Sequence, residues 1–127
     1  MRNKKVLISL FLAVSLIIGS SVNVAASYGS HTGTSNGRSY TLTYTLTSSK
    51  ATTGITCSAA NNVQAGVKVT YVENNKTKYS DWYYNSSDPG TSAYVAWTAG
   101  TGRTITSSTS KGWTNNVLAH TIENSVE

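Results

Sequence analysis

Tyr40-Thr41-Leu42-Thr43-Tyr44-Thr45-Leu46-Thr47 alternates apolar and hydroxylic residues without a fault. Side chains of a strand point alternately to opposite faces, so Tyr40, Leu42, Tyr44 and Leu46 share one face and the four threonines the other. Such a stretch reads as a half-buried β-strand with one face on a core and one in water. The Asn36-Gly37 dipeptide just before it is a turn signal, and Ser48-Ser49-Lys50 after it is short enough to close a hairpin onto Ala51 to Ala59.

Downstream the same grammar recurs. Val67, Val69 and Tyr71 alternate with Lys68, Thr70 and Val72, and Asn74-Asn75-Lys76 turns the chain into a strand over Lys78 to Tyr84. Ser86-Ser87-Asp88-Pro89-Gly90 reads as a loop, because Pro fixes its own φ and Gly accepts conformations that other residues resist. Thr91 to Ala99 is a strand with Ala93, Val95, Trp97 and Ala99 in its apolar phase, and Gly100-Thr101-Gly102 permits a tight reversal into Arg103 to Ser108. Ser107 to Gly112 reads as loop, and the last strand lies around Val117 to Glu123. Upstream, Ser27 to Arg38 is rich in Gly, Ser and Thr and reads as a mobile lead-in.

Composition agrees with strands. After Ala26 there are 19 Thr and 15 Ser, and the single Phe and single Met lie before it, so the core is left to Tyr, Trp, Val, Leu, Ile and Ala. β-Branched and aromatic residues with abundant Thr suit a pleated surface, and no window repeats with helical period. The expected fold is all-β: a small antiparallel two-sheet sandwich of about seven strands over residues 39–124, with a small β-barrel as the second choice.

Met1 to Ala26 has the three-part pattern of a cleaved secretory signal peptide. Arg2, Lys4 and Lys5 form the basic start, Val6 to Ile18 the apolar run, and Val24-Ala25-Ala26 the small-residue cleavage site. The run has 13 residues, short of the roughly 18 or more that a spanning helix needs. The expectation is a secreted, extracellular product with no membrane span once the signal is removed. Cleavage lowers the formal charge from +5 to +2, since three of the ten Lys and Arg leave with the signal and all five acids stay. The seven remaining cations are scattered, which argues against nucleic acid as a partner. A lone cysteine, Cys57, cannot form an internal disulfide and alternates with Ile55 and Ala59 as a small buried apolar residue would.

Catalytic chemistry finds little purchase. His31 and His120 are the only histidines, no G-x-S-x-G elbow is present, and neither zinc-type spacing nor an acidic calcium loop occurs, so no enzyme activity, metal or cofactor is expected. The candidate site is instead a binding stripe. On the Lys78 to Tyr84 strand, Trp82 and Tyr84 suit the core phase, while the cost of burying an unpaired carboxylate puts Asp81 on the wet face, flanked by Tyr79 and Tyr83. Aromatic rings beside a carboxylate can stack on sugar rings and accept hydrogen bonds from their hydroxyls. Trp113, beside Gly112, is a further contact candidate, whereas Trp97 falls in a core phase. The threonine face of residues 41–47 could order water or dock on a repeating surface only if neighbouring strands continued it, and alone it reads as a solvated face. The leading functional expectation is a secreted, non-enzymatic binding domain for an extracellular polysaccharide or cell-surface protein. A secreted antagonistic effector, bacteriocin-like or toxin, acting on neighbouring cells is the alternative.

Overall fold

The computed structural model describes residues 27–126; the expected signal peptide lies outside them. Seven strands run in the order β1 (Ser27–Ser35), β2 (Arg38–Leu46), β3 (Lys50–Glu73), β4 (Lys76–Tyr79), β5 (Tyr83–Thr98), β6 (Arg103–Thr114) and β7 (Val117–Ser125), with no helix among the described residues. All pairings are antiparallel and belong to one sheet of order β1-β2-β3-β6-β7, with β4 and β5 also paired to β3.

The all-β expectation holds, but the sandwich of two separate sheets gives way to a single sheet nearly closed like a barrel. The cause is β3. Its 24 residues pair with β2 over Ala51–Cys57 and then, on the same side, with β6 over Val63–Glu73. Between the two stretches the register shifts around Asn61, and such irregularities bend a strand. Ala51 and Val67 therefore sit in one apolar cluster, where a straight strand would hold them about 50 Å apart. The bend makes two half-sheets: β1, β2 and the first part of β3 with the end of β5, facing β6, β7 and the second part of β3 with the start of β5. Strands that continue from one layer into the next through bends are how orthogonal packings turn their corners.

The interior holds two apolar clusters, one around Tyr40, Leu42, Ile55, Val63 and Ala65 and one around Leu46, Val67, Val69, Trp97 and Ile105. Between the half-sheets lies a polar contact, Thr53 Oγ1 donating to Ser110 Oγ at 2.6 Å, both side chains almost fully buried. Cys57 is a buried free thiol, as its alternation suggests. One lateral side is closed by side chains across β1 and β7: the rings of His31 and His120 stack at 3.6 Å, and Asn124 Nδ2 donates to Ser27 Oγ at 2.6 Å. On the opposite side β5 has β3 as its only ladder neighbour among the described residues.

Three further expectations are corrected. Residues 27–35 form β1 rather than a mobile lead-in, because their glycines are space for tyrosines: Gly29 and Gly33 pair with Tyr44 and Tyr40, and a Cβ at either would lie 3.0 and 3.1 Å from the partner ring. The Ser86–Gly90 loop is the bend of β5, whose two parts both pair with β3. Ser107–Gly112 belongs to β6, its inward positions Ser108, Ser110 and Gly112 being small because the opposite half-sheet comes close; a Cβ on Gly112 would meet Ile55 Cδ1 and Leu42 Cδ1 at 2.8 Å. Three hairpin turns carry the left-handed pairs that such turns require, at Asn36-Gly37, Asn74-Asn75 and Asn115-Asn116.

Candidate functional site: an aromatic platform on the outer face

The stretch from Lys78 to Tyr84 does not run as one strand. Tyr79 pairs with Thr70 and Tyr83 with Val67, so three residues, Ser80, Asp81 and Trp82, face two on β3. Ser80 anchors the extra residue: its N–H donates to Val69 O, and its Oγ accepts from Val69 N–H, each at 2.9 Å. Ser80 Oγ also donates to Asp81 O at 2.8 Å. One inserted residue reverses the phase of everything beyond it.

The consequence divides the expected stripe. Tyr79, Asp81 and Tyr83 are all exposed, the two tyrosines at 70% and 48%. They do not share a face, however: Thr70 and Val67 lie three residues apart on β3, so their partners Tyr79 and Tyr83 project to opposite sides of the sheet. Tyr83 takes the side of buried Val67, near enough to Arg103 to help raise the pKa of that guanidinium, although the larger causes are the hydrogen bond and charge of Glu73. Asp81 makes no side-chain hydrogen bond or ion pair among the described residues.

Trp82 and Tyr84, expected in the core, are on the outer face instead. Tyr84 pairs with Gly66 and is 50% exposed, and Trp82 is half-buried. Their rings stack 5.9 Å apart at 15°, and Trp113 meets Tyr84 edge-on at 5.6 Å. Lys111 Nζ lies 4.8 Å from the centre of the Trp82 ring, a cation–π contact. Gly66 makes the arrangement possible, for a Cβ there would lie 2.9 Å from the Tyr84 ring and 3.1 Å from Trp113. The rings thus lie along the backbone rather than standing off it. Tyr79 projects from the same face, four residues along β3 or about 13 Å.

Trp113 is thus the one expected contact residue that joins a cluster; Tyr84 and Trp82 were missed because their phase depends on the bulge. The only signal for it in the sequence is Ser80 followed by Asp81, residues that favour local backbone hydrogen bonds over a ladder. Near Tyr83, Glu73 receives Lys78 Nζ at 2.9 Å and Arg103 Nε at 3.0 Å, and these bonds, Lys78 first, hold its carboxyl below the ordinary value of 4.5. Arg103 also lies over the Tyr71 ring at 5.2 Å. His31 and His120 face each other in the seam without a third ligand: among the described residues no three of His, Cys, Asp and Glu stand close enough together to hold a metal ion. No helix among them is long and apolar enough to cross a membrane.

Comparison of the chain with family models, with curated proteins and with solved structures finds no match in any of the three. The functional reading therefore rests on the surface itself.

Proposed function

We propose that the chain is a secreted, non-enzymatic binding domain that docks on an extracellular polysaccharide through the outer face bearing Trp82, Tyr84 and Trp113. The observation that carries this reading is three contiguous aromatic rings, held by mutual stacking and by Gly66, with Tyr84 half-exposed on an open sheet face. An aromatic ring offers an apolar face to the C–H side of a sugar, and the Tyr hydroxyl and Trp N–H at its rim remain available for hydrogen bonds. Rings fixed in advance lose little conformational freedom on binding, which favours affinity from a small contact area. Tyr79, on the same face, extends the contact along a chain-like ligand. Export is supported by the signal pattern of residues 1–26.

The test is co-sedimentation of the purified protein with insoluble cellulose, chitin and peptidoglycan, alongside a Tyr84→Ala/Trp113→Ala variant. Retention by at least one polymer, weakened about tenfold in the variant with its melting temperature little changed, is the expected result. Failure of the unaltered protein to bind any of the three, or equal retention of the variant, would overturn the proposal. Growth inhibition of neighbouring cells without glycan retention would favour the effector reading instead.

A further inference from the structure

A recess lies across the bend of β5, its floor on the half-sheet opposite that of the aromatic platform and its wall beginning at Asn85, next in the chain to Tyr84. Its floor is Gly54, flanked by Thr43 of β2 and Tyr94 of β5, and one wall is the Asn85–Ser87 segment at the bend of β5. The recess measures about 390 Å³, within the range of small-ligand sites at its lower end. Gly54 keeps it open: a Cβ there would lie 2.9 Å from Thr43 Oγ1 and 3.7 Å from the Tyr94 ring.

The chemistry of the lining is narrow. No Asp, Glu, Lys, Arg or His contributes to it, so nothing there would attract or neutralise a charged ligand. Five Ser and Thr hydroxyls line the recess; that of Thr43 donates to Gly54 O at 3.3 Å, and those of Thr56, Ser86, Ser87 and Ser92 make no side-chain hydrogen bond among the described residues. A hydroxyl both donates and accepts, so such a set matches a ligand that presents hydroxyls of its own. The wall is fixed in place, since Asn85 Nδ2 donates to Tyr94 O at 2.8 Å and Asn85 Oδ1 accepts from Ser86 N–H at 3.0 Å. Beside these groups stands Tyr94, 55% exposed, with a ring face open to an apolar contact. A neutral, polyhydroxylated ring with one C–H face satisfies both kinds of group.

We infer that this recess is a binding site for a neutral saccharide unit, with Tyr94 as the stacking ring and Thr56, Ser86, Ser87 and Ser92 as hydrogen-bonding partners. It is a separate site from the platform, and its size favours a short saccharide or a chain end over a long stretch of polymer. Outward-facing threonines and serines on β1, β2 and β3, such as Ser30, Thr32, Thr41 and Thr45, continue the uncharged surface around it.

The experiment is an amide NMR titration of the purified protein with soluble neutral oligosaccharides: cellohexaose, chitohexaose, maltohexaose and mannohexaose. Saturable shifts centred on Gly54, Thr56, Ser86, Ser87, Ser92 and Tyr94 are expected with at least one of them. Tyr94→Ala should weaken that binding about tenfold, and Gly54→Ala, which places a methyl in the floor, should weaken it independently. Tyr84→Ala/Trp113→Ala should leave the shifts unchanged, which separates this site from the platform. Polygalacturonate, a polyanion, should not compete. Absence of shifts with all four sugars, shifts centred on Gly66 and Trp113, or a Tyr94→Ala variant that binds as before would each overturn the assignment.

Discussion

The Thr53–Ser110 contact lets the packing account be tested on energetics alone. Thr53 Oγ1 donates to Ser110 Oγ at 2.6 Å, with relative exposures of 0% and 1%. Water cannot replace either partner there. Thr53→Val keeps the shape of the side chain and strands the Ser110 hydroxyl, while Ser110→Ala strands the Thr53 hydroxyl; a buried polar group left alone costs about 1 to 3 kcal/mol. Replacing both removes the polar pair altogether, and matched apolar substitution of a buried pair is close to neutral. The two single costs sum to about 2 to 6 kcal/mol, so a near-neutral double variant implies a coupling of at least about 2 kcal/mol. Urea unfolding of the four proteins of the cycle measures it, provided the m-value is the same in all four. Each kcal/mol should also appear as about 4 to 8 °C in Tm for a domain of this size. Additive losses, with the double variant as unstable as the sum of the singles, would show that the two hydroxyls do not depend on each other and that the interior between the half-sheets is not as described.

Gly112→Ala should lower the urea midpoint by overpacking, about 1 to 3 kcal/mol, because its methyl would meet Ile55 Cδ1 and Leu42 Cδ1 at 2.8 Å; an unchanged midpoint would mean that β2 and β6 lie further apart. Glu73 supplies a pH dependence: its carboxyl pKa is lowered in the folded state by Lys78 and Arg103, so its contribution is complete above the ordinary value of 4.5 and is lost as the pH falls through the lower folded value. Glu73→Gln should therefore lower Tm slightly at neutral pH and converge with the unaltered protein in acid, the effect being small because the partners are solvent-screened.

What the sequence by itself determined was local. The alternation of Tyr40 to Leu46 identified both faces of β2, and Tyr40, Leu42 and Leu46 are buried accordingly. Asn36-Gly37 marked a turn and Asn74-Asn75 placed a hairpin, because left-handed φ at successive residues is a property of the residues themselves; that Asn36-Gly37 closes a hairpin took the pairing of β1 with β2. Trp97 and Cys57 were legible as interior because the strand phase set by the residues before them, Val95 and Ile55, carries through to them; beyond Cys57 the irregularity of β3 leaves Ala59 exposed. The tertiary structure decided the rest. Whether a glycine breaks a strand or makes room for a ring depends on what pairs with it, and Gly29, Gly33, Gly54 and Gly66 each pair with a tyrosine, Tyr44, Tyr40, Tyr94 and Tyr84. Ser108 and Ser110 are interior only because another half-sheet lies against them, a long-range fact that their hydroxyls hide from any hydrophobic pattern. The side of the sheet on which Trp82, Tyr83 and Tyr84 emerge was set by one inserted residue at Ser80–Trp82. A period of two carries no memory of an insertion, so only the register against β3 fixes which rings reach the outer face.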